Sequence, residues 1–247
     1  MRLAIIIPAY NEEKHIREVV SQSVKFGKTI VVNDGSTDAT ASEASKGGSI
    51  VLKNSANRGK WSALKIGFNY AFDNLNAEAM IQLDGDGQHD PSDIPKFIRA
   101  LESGAMIVAG QRKFEPSRMP IVRIISNSIS SFIIMVLFWV WVPDTQCGYR
   151  AYSKKALKTI MSSFESEGYE GETETIILAR INRLKIKKVG IQTVYNEEES
   201  KVSPARDIRS FAITAAKMRI SYIKRQMTIK YLRYKFSILK KHFLSRR

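Results

Sequence analysis

The sequence predicts an α/β fold, in which helices cover both faces of a mostly parallel β-sheet. Up to residue 110, short aliphatic runs alternate with segments of helical periodicity, and the connections between them are short. This alternation is typical of parallel sheets, because each return to a neighbouring parallel strand requires a crossover, usually a helix. The runs are apolar at consecutive positions, which indicates strands that are buried on both faces.

Five strands are predicted in the first part of the chain, over residues 3–7, 29–32, 50–52, 80–83 and 106–109. The first helix is expected to begin at Glu12, because Asn11 can be its N-cap and residues 16, 19, 20 and 24 form an apolar stripe. Further helices are predicted after the turn at 34–37, over 60–74 and over 92–103. Beyond residue 110 the alternation ends, and the sequence predicts a helical segment over about 118–142, then a strand over 145–153. Residues 1–203 are expected to form one domain.

Positive charge is concentrated at the end of the chain. The 247 residues include 39 Lys and Arg against 24 Asp and Glu, and eleven of the basic residues lie within 217–247, where there is no acidic residue. The net charge of +15 predicts a polyanionic partner, namely an anionic lipid, a phosphorylated substrate or a nucleic acid. Because bulky apolar residues are interspersed with these charges, we predict a basic amphipathic helical tail over 204–247 that binds an anionic membrane surface. A nucleic-acid-binding arm and a helix packed on the domain are the alternatives.

The most apolar stretch lies in the predicted helical segment. It comprises eleven residues, Phe132–Val142, which is fewer than the ~20 needed to span a bilayer. We therefore predict either a buried helix or a helix at the membrane interface, and Trp139 and Trp141 favour the interface. No transmembrane helix and no signal peptide are expected. The single cysteine, Cys147, excludes an intrachain disulfide.

Polar clusters follow the predicted strands, and the carboxyl ends of parallel strands are where such sheets bind ligands. The absence of G-x-G-x-x-G and P-loop motifs from the sequence argues against a dinucleotide oxidoreductase or a P-loop nucleotidase. Asp84, Asp86 and Gln88 offer three oxygen ligands in one loop, as Mg²⁺ or Mn²⁺ prefers, although a polar turn has the same composition. Asp34 can accept hydrogen bonds from a nucleobase or form an Asx turn. Lys60 can contact a phosphate or begin a solvated helix.

Five motifs, taken together and in this order, resemble the family 2 glycosyltransferases, and more narrowly the polyprenol-phosphate glycosyltransferases. They are P-A-Y-N-E at 8–12, V-N-D-G-S at 32–36, N-R-G-K at 57–60, D-G-D-G-Q at 84–88 and D-T-Q-C-G-Y-R at 144–150. The resemblance covers about residues 3–203. It implies a GT-A fold, a nucleotide-sugar donor and inversion at the anomeric carbon. The sequence departs from the pattern at Trp61, where many relatives have a small residue, and at Tyr195 and Asn196, near which an arginine is usual.

The resemblance also implies roles for individual residues. Nucleotide binding is expected of Pro8, Tyr10, Glu12, Asp34, Lys60 and Asp84. Binding of Mg²⁺ or Mn²⁺ is expected of Asp84, Asp86 and Gln88. The acceptor phosphate is expected to contact Arg112, Arg123, Asn127 and Lys201. Within these sets, the predicted catalytic residues are Asp86, Arg112 and Arg123.

The expected function is metal-dependent, inverting transfer of mannose or glucose from a GDP- or UDP-sugar to a polyprenyl phosphate of the dolichyl type. The enzyme is expected at the cytoplasmic face of a membrane, as a peripheral or monotopic protein that binds no nucleic acid. An alternative is transfer to a sugar hydroxyl, for which Asp144 or Glu174 would be the general base. A nucleic-acid-binding protein is a more remote alternative, because binding through phosphates has no use for the acidic pair Asp84 and Asp86.

Overall fold

A computed structural model describes residues 1–112, 121–166, 170–192, 215–216 and 219–220, with the backbone alone for 121–127. Within these residues, seven strands form one sheet in the order β3-β2-β1-β4-β6-β5-β7. Their bounds are β1 Leu3–Ala9, β2 Lys28–Asn33, β3 Ile50–Lys53, β4 Ala79–Gln82, β5 Ile107–Arg112, β6 Arg150–Ser153 and β7 Ile186–Ile191. The pairings are parallel except those of β6, which runs antiparallel to both β4 and β5. The predicted mostly parallel α/β sheet is confirmed.

Helices cover both faces of this sheet, as predicted. Their bounds are α1 Ile16–Ser23, α2 Thr40–Lys46, α3 Lys60–Asp73, α4 Ile94–Glu102, α5 Ile121–Phe138, α6 Lys154–Met161 and α7 Gly171–Ile181. Successive residues of β1 point to opposite faces, because side chains alternate along a strand. Ile5 and Ile7 pack in a core with α1 and α4, whereas Ala4 and Ile6 pack in a second core with α3, α6 and α7.

The start of α1 differs from the prediction, because Asn11 does not cap a helix. Asn11 has a positive φ of 57°, and α1 begins only at Ile16 after a turn. The Asn11 side-chain oxygen accepts a hydrogen bond from the Thr37 N–H, and its own N–H donates to Ser36 Oγ. Asn11 therefore ties the loop after β1 to the loop after β2, and both loops lie at the carboxyl edge of the sheet.

The predicted strand over 145–153 is wrong except at its end, where β6 occupies Arg150–Ser153. The preceding residues form a buried irregular segment, and Arg150 explains why they need no strand partners. Its buried guanidinium donates to the carbonyls of Cys147 and Thr145, as well as to Glu172 and Thr175 on α7. These bonds satisfy main-chain acceptors that a strand would have paired.

The apolar segment forms α5 over Ile121–Phe138, within the predicted 118–142; residues 118–120 lie outside the described part of the chain. Ile134 and Phe138 pack against α7, whereas Phe132 and Val136 are exposed. None of the described helices combines the length and apolar character needed to cross a membrane.

Only four residues of the predicted tail over 204–247 are described, and they are helical. Ala215 is buried against α5 and α7. Arg219 places its guanidinium carbon 5.8 Å from the centre of the Phe138 ring. The chain therefore packs on the domain at these two positions, and the rest of the tail lies outside the described residues.

Candidate active site

The loops that follow β1, β2, β3 and β4 line a cavity of about 260 Å³ at the carboxyl edge of the sheet. It is lined by Pro8, Ala9, Tyr10, Glu12, Asp34, Asn57, Gly59, Lys60, Ala63, Asp84, Gly85 and Asp86. The structure thus brings the six predicted nucleotide-binding residues into one cavity, together with Asp86. Gln88 follows in the same loop as Asp86 and is not part of the lining.

Asp34 is buried in the wall of the cavity, where its carboxylate holds the loop over residues 54–59. It accepts hydrogen bonds from the Asn54 side chain and from the N–H groups of Arg58 and Gly59, at 2.7 to 3.1 Å. Asp34 does not form the alternative Asx turn; the Ser36 N–H donates instead to the side chain of Asn33, three residues before it. Asp34 therefore orders the wall that any ligand in the cavity would contact.

Asp84 and Asp86 stand on the half-buried loop after β4. The Asp86 carboxylate accepts from the Gln88 N–H at 2.9 Å, so Gln88 supports Asp86 through its main chain. The Asp84 N–H donates to Nδ1 of the buried His89 at 3.1 Å. Burial outweighs the charge of Asp84 and lowers the pKa of His89 to about 4. His89 is therefore a neutral support of this loop.

Lys60 links this loop to helix α7. Its Nζ lies 2.5 Å from Asp84 Oδ1 and 2.9 Å from Glu172 Oε1. Burial would lower the pKa of Lys60, but the two carboxylates raise it above its ordinary value. The alternative of a solvated helix start does not hold, since the Lys60 side chain is only 12% exposed and pairs with two carboxylates.

The two aspartates fit a divalent cation by the chemistry of their oxygens and by their electrostatics. Burial, and then the charge of Asp84, raises the pKa of Asp86 to about 6. A cation bound beside the two carboxylates would offset the repulsion between their negative charges. The described residues include no group of three or more His, Cys, Asp and Glu side chains placed to hold a metal. Two carboxylates suit Mg²⁺ or Mn²⁺ nonetheless, because these ions commonly take their other ligands from substrate phosphates and water.

Arg112 and Asp144 form an ion pair at the carboxyl end of β5. Arg112 Nε lies 2.6 Å from Asp144 Oδ2, and Nη2 lies 2.8 Å from Oδ1. Asp144 is fully buried, and the two bonds fix the guanidinium along one edge. The other predicted acceptor residues are less completely described: Arg123 and Asn127 have a backbone position on α5, and Lys201 lies outside the described residues.

Glu172 is the site residue that the sequence did not reveal. Its side chain is 2% exposed, and its Oε2 accepts from Trp61 Nε1 at 2.9 Å. An acidic residue in the first turn of a helix is ordinary, because it complements the helix dipole, so Glu172 carries no distinctive signal. Trp61, the departure from the family pattern, is the residue that reaches it.

Comparisons with known proteins agree with this architecture. Residues 4–161 match the family described as Glycosyl transferase family 2. The chain is 36% identical over 216 residues to UDP-N-acetylglucosamine–dolichyl-phosphate N-acetylglucosaminyltransferase of Methanococcus voltae, covering 78% of this chain and 86% of that protein. It is 28% identical over 217 residues to undecaprenyl-phosphate mannosyltransferase of Micrococcus luteus, covering 82% and 88% of the two chains.

A similar solved structure is glucosyl-3-phosphoglycerate synthase from Mycobacterium tuberculosis in complex with Mn²⁺, UDP-glucose and phosphoglyceric acid. The superposition has a TM-score of 0.69 at 19% identity, and it covers 88% of this chain and 79% of that one. This structural similarity supports the expected GT-A fold. The chain belongs to glycosyl transferase family 2 and is a glycosyltransferase of the GT-A fold.

Proposed function

We propose that the protein transfers a hexose from a nucleotide diphosphate sugar to a polyprenyl phosphate at a membrane surface, with inversion at the anomeric carbon. The names of the two similar transferases support a lipid-phosphate acceptor. They name N-acetylglucosamine and mannose as the transferred sugars, and glucose, which the family resemblance implies, is the third candidate. A GDP- or UDP-sugar is the proposed donor.

The observation that carries this proposal is that both candidate general bases are engaged elsewhere. Asp144 directs both carboxylate oxygens at Arg112. Glu174 accepts from the N–H groups of Glu165 and Ser166, at 2.9 and 2.8 Å. A sugar hydroxyl needs a base to take its proton, whereas a phosphate monoester has a second pKa near 6 and is largely a dianion at neutral pH. The structure therefore favours an acceptor that is already an anion.

The donor half of the proposal rests on the cavity at the carboxyl edge. Pro8, Tyr10, Glu12 and the loop held by Asp34 would contact the nucleoside, while Asp84 and Asp86 would hold the metal near the diphosphate. Mg²⁺ or Mn²⁺, when bound there, would neutralise negative charge on the leaving nucleoside diphosphate. Lys60 adds a fixed positive charge beside the same carboxylates.

The acceptor half rests on Arg112. Because Asp144 fixes its guanidinium, Arg112 would present a positive charge to an acceptor oxygen from a fixed position, without losing side-chain freedom on binding. Arg123, Asn127 and Lys201 are proposed as further contacts to the lipid phosphate. Together these residues would orient the anion for in-line attack on the anomeric carbon.

A membrane surface is proposed from a basic, aromatic groove at the amino end of β7. The groove has a volume of about 460 Å³ and is lined by Trp139, Val140, Trp141, Arg180, Arg183, Leu184 and Ile186. Trp139 is 80% exposed and Trp141 52%, and no acidic side chain of the described residues lines the groove. Tryptophan and arginine suit a lipid headgroup region with anionic lipids. We also propose that this surface is the cytoplasmic face of the membrane and that a tail over 204–247 acts as a second anchor.

The test is an assay with purified protein, Mn²⁺, a panel of GDP- and UDP-sugars, and polyprenyl phosphate. We expect one sugar to appear in an organic-soluble, phosphate-linked product. Polyprenol without phosphate is the matched control and should accept no sugar. Transfer to polyprenol or to a free sugar hydroxyl at an equal rate would overturn the proposal.

A further inference from the structure

The Lys60 ammonium is shared between two carboxylates that belong to different parts of the fold. Asp84 stands on the loop after β4, and its Oδ1 is 2.5 Å from Lys60 Nζ. Glu172 stands at the start of α7, and its Oε1 is 2.9 Å from the same nitrogen. The Lys60 side chain is 12% exposed, so water screens these attractions only weakly. A change at either carboxylate must therefore alter the interaction of Lys60 with the other.

The position of Glu172 is fixed by its surroundings and not by Lys60 alone. Trp61 Nε1 donates to Glu172 Oε2 at 2.9 Å, and Trp61 is fully buried. The helix start lies directly on the Trp61 ring, since a Cβ at Gly171 would come within 2.3 Å of Trp61 Cδ1. Glu172 is therefore a negative charge that its surroundings hold in place beside Lys60.

Asp84 is also one of the two carboxylates proposed to hold the divalent cation, so the ammonium and the cation compete for the same oxygens. The distance of 2.5 Å between Lys60 Nζ and Asp84 Oδ1 shows how closely the ammonium holds this carboxylate. A second partner for Lys60 weakens that hold, because the ammonium has only three donors and one charge to distribute.

We propose that Glu172 is a positioning residue that competes with Asp84 for Lys60 and thereby sets the affinity of the Asp84–Asp86 loop for a divalent cation. The inference rests on the metal site of the proposed function. It adds that the cation affinity of this site is set by Glu172, which does not line the cavity. A cation that takes Asp84 leaves Lys60 paired with Glu172, so the ammonium is not left unpaired in the interior.

The test is Mn²⁺ binding, measured by calorimetry on the full chain without acceptor and repeated with a nucleoside diphosphate present. Glu172→Gln keeps the shape of the side chain and an acceptor for Trp61, but it removes the negative charge that competes with Asp84 for Lys60. We expect Mn²⁺ affinity to fall roughly tenfold. Lys60→Gln removes the competing charge and keeps a donor for Glu172, so affinity should rise by a similar factor.

A double variant that combines Lys60→Gln with Glu172→Gln distinguishes competition through Lys60 from a general effect of the changed charge. Without the ammonium, Glu172→Gln should change Mn²⁺ affinity by less than about twofold, because Lys60 transmits its effect. Glu174→Gln is the matched control, since it also loses a buried carboxylate on α7 but its partners are the main chain of Glu165 and Ser166. It should leave Mn²⁺ affinity unchanged even if thermal stability falls.

Each result decides the inference. Additive effects in the double variant, or an equal loss of affinity in Glu174→Gln, would assign Glu172 a purely structural role. Wild-type protein that binds no Mn²⁺ under either condition would overturn the inference together with the metal site. Wild-type protein that binds Mn²⁺ but transfers no sugar to polyprenyl phosphate would overturn the proposed function and leave the role of Glu172 intact.

Discussion

The guanidinium of Arg112 and the carboxylate of Asp144 meet through two hydrogen bonds, from Nε to Oδ2 at 2.6 Å and from Nη2 to Oδ1 at 2.8 Å. Two parallel bonds fix the plane of the guanidinium as well as its distance, which a single contact does not. Because Asp144 is fully buried, it depends on this partner for compensation of its charge. The pair thus links the stability of the sheet edge to the placement of a proposed acceptor residue.

The first prediction concerns this pair. Arg112→Met should lower the free energy of unfolding by about 3 kcal/mol, because it leaves the Asp144 charge buried and unpaired. Urea titration at pH 7 measures the change. The double variant Arg112→Met with Asp144→Leu should recover most of the loss, since it removes both charges. A double variant less stable than Arg112→Met would contradict this account of the pair.

The second prediction concerns Gly148, which lies over the Lys60–Asp84 pair. A Cβ at this position would come within 2.6 Å of Lys60 Nζ and 2.7 Å of Asp84 Oδ2. Gly148→Ala should therefore displace the ammonium or the carboxylate and reduce sugar transfer by roughly tenfold or more, as losses of oriented charges do.

Gly190→Ala is the matched control for that change. A Cβ at Gly190 meets no atom within 4 Å, and neither glycine has a positive φ. The control should retain wild-type transfer with the same donor and acceptor. Equal activity of the two variants would show that the space over Lys60 and Asp84 is not needed.

The amino-terminal half of the fold was predictable because its signals are local. Each of β1 to β5 overlaps a predicted strand, since short runs rich in β-branched residues and bounded by turn residues are typical of strands. β7 was missed because Lys187 and Lys188 give an edge strand a polar composition. Asn11 was misassigned as a helix cap because its actual partners, Ser36 and Thr37, lie 25 and 26 residues away.

The site was predictable only where its residues occur in compact motifs. Six predicted nucleotide-binding residues line one cavity with Asp86, because the carboxyl ends of parallel strands converge there. Glu172 was not predictable, since its contact with Trp61 spans 111 residues. Such long-range pairs depend on how α3 and α7 pack on the sheet, which no local pattern encodes.

The third prediction is a loss of stability at alkaline pH. Burial and then the charge of Asp144 raise the pKa of Cys147 to about 12, and burial raises the pKa of Tyr152 to about 12. Above pH 9 the unfolded chain loses these protons while the folded chain keeps them, so the free energy of unfolding should fall as pH rises from 9 to 12. Urea titration across this range measures the fall.

Cys147→Ala isolates the contribution of the thiol to that slope. The variant should lose less stability between pH 9 and pH 12 than the wild type, whatever its stability at pH 7. The wild-type thiol should also react with a disulfide reagent at pH 8 only as fast as the protein opens, because it is buried and protonated. Rapid labelling of the native protein would contradict the burial of Cys147.

The fourth prediction tests the proposed metal ligands through activity. Asp86→Ala should reduce transfer by more than about 100-fold, since metal stabilisation of the leaving group is a large contribution to such reactions. Chelation of divalent cations from the wild-type protein should have a comparable effect, reversed by added Mn²⁺. Full transfer in excess EDTA would reject the metal assignment.

The last prediction distinguishes the groove beside Trp139 from the basic tail as the membrane contact. Arg183 lines the groove with Trp139 and Trp141, and its register places it away from the cavity. It precedes the amino end of β7, whereas Arg112 lies at the carboxyl end of the neighbouring strand β5. Trp139→Ser combined with Arg183→Glu should therefore reduce sedimentation with anionic vesicles. One basic residue near such a surface contributes about 1 kcal/mol, so the charge reversal and the lost indole together should weaken binding by tenfold or more.

Lys155→Glu provides the charge-matched control, because Lys155 is exposed on α6 and is not part of the groove. It changes the net charge as much as Arg183→Glu does, so a purely long-range attraction would make the two equivalent. We expect vesicle binding to fall much further in the groove variant, while transfer to a short, water-soluble polyprenyl phosphate survives in both. If deletion of residues 226–247 abolishes vesicle binding and the groove variant binds as the wild type does, the tail is the anchor. The exposure of Trp139 would then have no role in membrane contact.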